Sequence, residues 1–243
     1  MKQTRRQVLR AIGVSSIPIL GGISSAQDMT TSQNGNASRV RVIHAIPDAP
    51  EVDVYVDGNR VLQNVAFKDV SDYLDLDAGK HTIQVAPAGQ GQGSAVIDEQ
   101  VTLDANTDYT IAAGGTLDSP QAFVFVDENE VPSGDQARLR AVHLSPDAPA
   151  VDITADGDVL VEGLEFGNAS DYVEVPAGSY TIGIRPAGMN DAVATFDVTL
   201  EGGTVVSAFA VGLLQTNDEA QAFDLLPTID APTEMMTTTT TTM

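Results

Sequence analysis

Hydrophobic and polar positions alternate with a period of two along most of the chain between residues 39 and 226. Val52, Val54 and Val56 interleave with Asp53, Tyr55 and Asp57, the spacing that turns one face of a β-strand to a core and the other to water. The same alternation recurs at Leu74 and Leu76, at Ile83 and Val85, at Val101 and Leu103, and at Tyr109, Ile111 and Ala113. Between these runs stand Asp57-Gly58-Asn59, Asp77-Ala78-Gly79, the glycine-rich Ala88 to Gly93, and Asp104-Ala105-Asn106, each a turn by its chemistry. No stretch carries a helical period.

The pattern occurs twice. Shifted by 99 residues, Arg39 to Gly89 overlies Arg138 to Gly188 without a gap, with 22 of 51 positions identical. Duplicated blocks include His44 with Pro47-Asp48-Ala49-Pro50 against His143 with Pro146-Asp147-Ala148-Pro149, and Ser71-Asp72-Tyr73 against Ser170-Asp171-Tyr172. Seven or eight short strands per copy predict an all-β protein of two tandem β-sandwich domains, immunoglobulin-like or transthyretin-like. The repeats are expected at 39–131 and 137–228, joined by a Pro/Gly/polar linker at 132–136. A polar arm at 27–38 and a Thr-rich tail at 229–243 are expected to be disordered.

The spacing of His-x-x-Pro-Asp-Ala-Pro, Val-Asp-Val-Tyr-Val-Asp-Gly, Ser-Asp-Tyr and Ala-Gly-x-x-Thr-Ile resembles domain of unknown function 4397, across nearly all of residues 39–226. Copy two departs from it at Thr154-Ala155, where copy one has Tyr55-Val56. The resemblance implies a surface or secreted β-domain that occurs in tandem on exported bacterial and archaeal proteins, and it implies no reaction.

The first 26 residues read differently from the rest. Thr4-Arg5-Arg6-Gln7-Val8-Leu9-Arg10 resembles a twin-arginine export signal; a short apolar run and Ser24-Ser25-Ala26 follow, in the order of a signal peptide. Arg5 and Arg6 are the signal residues, and the expected destination is secreted or cell surface. That apolar run is shorter than the roughly 20 residues a span needs, and the mature chain has no membrane span of its own.

Charge adds a setting. The chain carries 12 basic and 34 acidic residues, a formal net charge of -22. Four of the basic residues lie in the first ten positions, so the remainder holds 8 against 34, a balance of -26. Such a field repels nucleic acid, whose binding needs clustered Lys and Arg. It also opposes compaction in dilute buffer and is screened in molar salt, where the Debye length is roughly 3 Å. A halophilic protein is the reading, one whose fold is lost as salt falls.

Candidate chemistry is sparse. Cysteine is absent, which excludes disulfides and thiolate zinc sites. Gly-x-Ser-x-Gly, His-Glu-x-x-His and a phosphate-cradling loop ahead of a helix are absent too. His44, Asp48, His143 and Asp147 are the repeat-shared candidates, because imidazole beside carboxylate can bind metal or move protons. The competing reading makes each His a strand-end residue held by a backbone carbonyl, and each Pro-Asp-Ala-Pro a turn. Arg41 with Asp53, and Arg140 with Asp152, are candidate cross-strand ion pairs. Asn36 and Asn168 head acceptor tripeptides for N-glycosylation.

No catalytic, cofactor or metal site is assigned. The expected function is an exported non-catalytic β-domain protein for adhesion, envelope structure or recognition of an unknown surface polymer or protein, with weak cation binding as an added property. A carbohydrate- or calcium-binding module, with Tyr55, Tyr73 and Tyr172 as its aromatics, is the alternative. An extracellular hydrolase is the second.

Overall fold

A computed structural model describes residues 5–8 and 37–231. The signal peptidase site, Asn36 and the tail beyond Ala231 lie outside the described residues. The segment Arg5–Val8 (β1) pairs in parallel with Ala194–Asp197, so Arg5 and Arg6 fall on a strand.

Repeat 1 holds eight strands: β2 (Ala37–His44), β3 (Val52–Val56), β4 (Asn59–Val65), β5 (Leu74–Asp77), β6 (Gly79–Pro87), β7 (Ile97–Leu103), β8 (Asp108–Thr116) and β9 (Ser119–Asp127). Repeat 2 holds eight more: β10 (Gln136–His143), β11 (Val151–Ala155), β12 (Asp158–Leu164), β13 (Val173–Pro176), β14 (Gly178–Pro186), β15 (Ala194–Leu200), β16 (Val205–Val211) and β17 (Asp224–Ala231). One 3-10 turn, Gln92–Ser94, is the sole helical element among the described residues, and no described helix is long and apolar enough to cross a membrane.

Each repeat is a sandwich of two sheets. The front sheets run β5-β2-β8-β9 and β13-β10-β16-β17, and the back sheets β4-β3-β6-β7 and β15-β14-β11-β12, with β1 added beside β15. β2 pairs in parallel with β8, and β10 with β16, inside otherwise antiparallel sheets. The inward residues of each pair of sheets make a core: Val40, Val54, Ile83 and Ile111 in repeat 1, and Val151, Ile184, Phe196 and Val206 in repeat 2. Pro120 and Pro227 lie in β9 and β17, the outer strands of the front sheets, where a missing N–H breaks no ladder.

The duplicated alternation predicts one wet face for β3, yet all five of its residues are buried. Arg60 and the backbone of Gly89 close over Asp53 and bond its carboxylate. Two strands also run into segments expected to be disordered. β2 starts at Ala37 with Ser38 buried, inside the expected arm 27–38. β17 continues to Ala231, past the expected tail start at 229, because Asp230 is buried against the other repeat.

The front sheets pack face to face, so the repeats share a third core. Ile43, Ala112 and Phe125 of repeat 1 meet Val142, Phe209 and Val211 of repeat 2, with the Phe125 and Phe209 rings 6.4 Å apart and edge-on. At the rim, Lys68 reaches Asp224 at 3.1 Å. In repeat 2 the position matching Lys68 is Gly167, and a Cβ there would stand 2.6 Å from the Phe123 ring of repeat 1. Only glycine, also at φ +81°, admits that contact.

Candidate functional site: a crossed polar cluster and the duplicated motif residues

The duplicated His residues end β2 and β10, and both are completely buried, at 0 % exposure. His44 Nδ1 accepts the Ile46 N–H at 3.3 Å, which leaves Nε2 as the donor to the Pro50 carbonyl at 3.1 Å. His143 repeats this with Ser145 N–H at 3.3 Å and the Pro149 carbonyl at 3.1 Å. Both ring nitrogens are thus occupied by backbone, and each imidazole is a brace across its Pro-Asp-Ala-Pro turn.

The duplicated acids do similar work. Asp48 Oδ1 accepts the Leu117 N–H at 2.9 Å, and Asp147 accepts Leu214 and Gln215 N–H, both at 2.8 Å. Each therefore ties its turn to the hairpin between the last two strands of its repeat. Asp53 takes the Asn64 N–H at 3.0 Å and the Gly89 N–H at 3.2 Å; Asp152 takes Gly163 at 2.7 Å and Gly188 at 2.9 Å. Asn64 and Gly163 sit at φ +55° and +61°, the left-handed residues of bulges that the carboxylates pin. The ion pairs expected between Arg41 and Asp53, and between Arg140 and Asp152, do not form, because those carboxylates and arginines lie on different sheets.

The arginines instead cross between repeats. Arg41 Nη2 lies 2.6 Å from Asp230 Oδ1 and 3.4 Å from Asp127 Oδ2, and Arg140 Nη2 lies 2.5 Å from Asp127 Oδ1. Each arginine also bonds a hydroxyl of its own sheet, Arg41 to Thr110 at 2.8 Å and Arg140 to Ser207 at 2.9 Å. The Tyr73 hydroxyl donates to Asp127 at 2.7 Å, and that of Tyr172 to Asp230 at 2.8 Å. Their rings stack on Arg41 and Arg140 at 4.8 and 4.7 Å. Two cations and two anions, each side chain at most 4 % exposed, form a neutral cluster of near-twofold symmetry. Burial of the Asp230 carboxyl raises its pKa against the pull of Arg41. Burial also raises both tyrosine hydroxyls, which stay neutral donors.

The tyrosines offered as sugar-stacking aromatics are thereby committed: Tyr55 is buried, and Tyr73 and Tyr172 belong to this cluster. Sequence reasoning missed Asp127 and Asp230. A signal was present in Arg41 and Arg140, duplicated in a chain poor in basic residues, but the acids fall beyond the gapless match, where the offset between copies has changed.

No group of three or more His, Cys, Asp or Glu side chains that could hold a metal ion occurs among the described residues. Repeat 2 has an enclosed apolar cavity of about 30 Å3 in its core and an open groove of about 530 Å3 beside Asn168. The first is lined by the core side chains themselves, such as Ile153 and Ile184, and it presents no convergent polar groups.

The buried groups set a pH dependence. Burial lowers His44 and His143, partly offset by the carbonyl each bonds. Unfolded histidine titrates near 6.5, so the unfolded chain takes up protons the folded one refuses, and stability falls as pH drops below about 6.5. Asp53, Asp57, Asp108 and Asp152 are held low by hydrogen bonds that outweigh burial. They add a second loss below the unfolded carboxylate value of about 3.9. His81 is raised by Asp57 and the Asp77 carbonyl against the cost of burial, so it contributes stability below about 6.5 that is lost as pH rises. Urea midpoints in molar KCl are expected to fall from pH 7.5 to 5, and more steeply in His81→Gln. A flat His81→Gln profile over that range would refute the assignment.

The family model described as domain of unknown function DUF4397 matches residues 38–154 and 142–240. No curated protein matches the chain. Among solved structures it is similar to the Bacillus anthracis TIE protein, at 14% identity and TM-score 0.26 over 72% of this chain, and it spans about a third, 34%, of that protein's length. A CBM26 domain of Eubacterium rectale Amy13K, solved with maltoheptaose, matches at 9% identity and TM-score 0.24, over 76% of this chain and 99% of that one. A streptococcal virulence factor described as binding alpha-glucan matches at 13% and 0.22, over 72% and 92%.

Proposed function

This chain belongs to the DUF4397 family, and from that premise we propose an exported, non-catalytic pair of β-domains that serves at the cell surface or in the medium, in adhesion, envelope structure or recognition of a surface polymer. One observation carries the reading. The duplicated histidines and two duplicated aspartates of each repeat are committed to the backbone of their own repeat: His44, Asp48 and Asp53 in one, His143, Asp147 and Asp152 in the other. An acid-base site built on the duplicated histidines needs an imidazole facing an open pocket, and neither His44 nor His143 has exposed surface. The shared interface core and crossed cluster support a rigid unit, suited to bearing load or presenting a fixed surface. Arg5 and Arg6 support export in the folded state, and the acidic surface supports a saline setting.

Cell fractionation and envelope co-sedimentation test it together. The native chain is expected in medium or envelope, and Arg5→Lys/Arg6→Lys in the cytoplasm. The exported protein, mixed in molar KCl with envelope fragments, is expected to sediment with them. Native protein confined to the cytoplasm, or exported protein that never sediments with envelope, would count against the proposal.

A further inference from the structure

We propose that the groove of repeat 2 between the edge strands β12 and β13 binds a neutral polyhydroxylated chain. This names a ligand class within the surface-polymer reading and rests on it. The groove is open and about 530 Å3, within the size range of ligand sites. Leu160 and Val173 supply apolar surface, and Glu162, Glu165 and Asn168 supply acceptors and an amide. Among the described residues, no hydrogen bond engages those three polar side chains, whereas the duplicated Asp48 and Asp147 are bonded to backbone N–H groups.

Divergence between the copies singles out the same place. Where repeat 2 has Glu162, Glu165 and Asn168, repeat 1 has Gln63, Ala66 and Asp69. Asp69 closes on its own loop, accepting the Ala66 N–H at 2.9 Å. Asn168 does not close that way, yet its backbone is fixed: its N–H donates to the Glu165 carbonyl and its C=O accepts His143 N–H at 3.0 Å. A side chain on a fixed backbone meets a ligand with little ordering cost.

The chemistry favours hydroxyls over peptide or cation. β12 and β13 are sheet edges, which present unpaired backbone groups, and a hydroxyl both donates and accepts. An added peptide strand needs an unbroken ladder, but β12 pairs with β11 through two register shifts. Its Gly163 N–H is already given to Asp152, and β13 is four residues long and ends at Pro176. Bulged, short edges of this kind resist strand addition. A cationic partner would rely on Coulomb attraction that molar salt screens within roughly 3 Å, whereas hydrogen bonds and packing against Leu160 and Val173 persist.

The test uses the full chain in 2-molar-class KCl, about the salt at which exposed charge is screened, with gluco-, manno- and galacto-hexaoses, a Val/Thr-rich peptide and an oligolysine as probes. Calorimetry and amide NMR are expected to show a hexaose binding with shifts confined to residues 160–173. The triple exchange Glu162→Gln, Glu165→Ala, Asn168→Asp puts repeat 1 residues into repeat 2 and is expected to weaken binding at least tenfold while the rest of the spectrum stays native. Binding of the peptide or oligolysine in place of the sugars, shifts elsewhere, unchanged affinity in the triple exchange, or no shift with any hexaose overturns the groove assignment. Envelope co-sedimentation that survives the triple exchange leaves the surface function standing and removes only the groove.

Discussion

Arg140→Ala is expected to lower stability by about 3 to 5 kcal/mol, the cost typical of removing one partner from a buried ion pair, and to shift the melting temperature by roughly 10 °C. The change leaves Asp127, fully buried, without the cation 2.5 Å from its Oδ1. Arg41, 3.4 Å from the other oxygen and already closer to Asp230, cannot take up the full charge. Truncation also empties the space over the Tyr172 ring and leaves the Val126 carbonyl without its donor. A double-mutant cycle in molar salt isolates the charge pairing from the lost packing. Asp127→Asn keeps a carbonyl oxygen for the Tyr73 and Thr110 hydroxyls, so the combination with Arg140→Ala should cost at least 1 kcal/mol less than the sum of the single changes. Additivity within about 0.5 kcal/mol would mean that the crossed cluster is not a coupled unit. Because the pairs are buried, the coupling should change little between 1 and 3 M KCl, unlike that of exposed pairs.

Phe209→Ala should cost a similar amount, about 3 to 5 kcal/mol. Phe209 has no exposed surface and fills the centre of the interface against Phe125. The strand registers equate Phe209 with Ala112, since Val142 pairs with the first and Ile43 with the second. They likewise equate Phe125 with Thr228, the partners of Thr110 and Ser207. Each repeat therefore offers one large and one small residue, in opposite places, and the two faces fit each other better than either would fit itself. The native chain is expected to melt in a single calorimetric transition, because the shared core couples the repeats. Phe209→Ala should separate that into two transitions, whereas Phe125→Ala, at a site 8 % exposed, should lower the midpoint less. A native chain that already melts in two steps would show that the interface does not join the repeats.

Much of the fold was legible because it is local. Period-two alternation at Val52 to Val56 and Ile83 to Val85 reports a strand and its faces within five residues, and turns such as Asp57-Gly58 announce themselves by conformational need: both residues stand at positive φ. The braced histidines were partly legible too, since parity put His44 on the face of Val40 and Val42. The parallel pairing of β2 with β8 was not, because alternation is the same whichever way a neighbouring strand runs. Tyr73 and Tyr172 read as spare aromatics, since nothing in Ser-Asp-Tyr says that an arginine will lie over the ring.

The sequence by itself determined the duplication, the all-β character, the turns between strands and the acidic field, all of which depend on residue order over short distances or on simple sums of charge. Only the tertiary structure decided which faces oppose. Arg41 and Asp230 are 189 positions apart, and each in its own strand has the polar pattern of a wet face. Burial of that face becomes favourable only when the second repeat supplies the opposite charges, the stacking tyrosines and a complementary pair of phenylalanines. That compensation is a property of two surfaces together, and no window along one strand contains it.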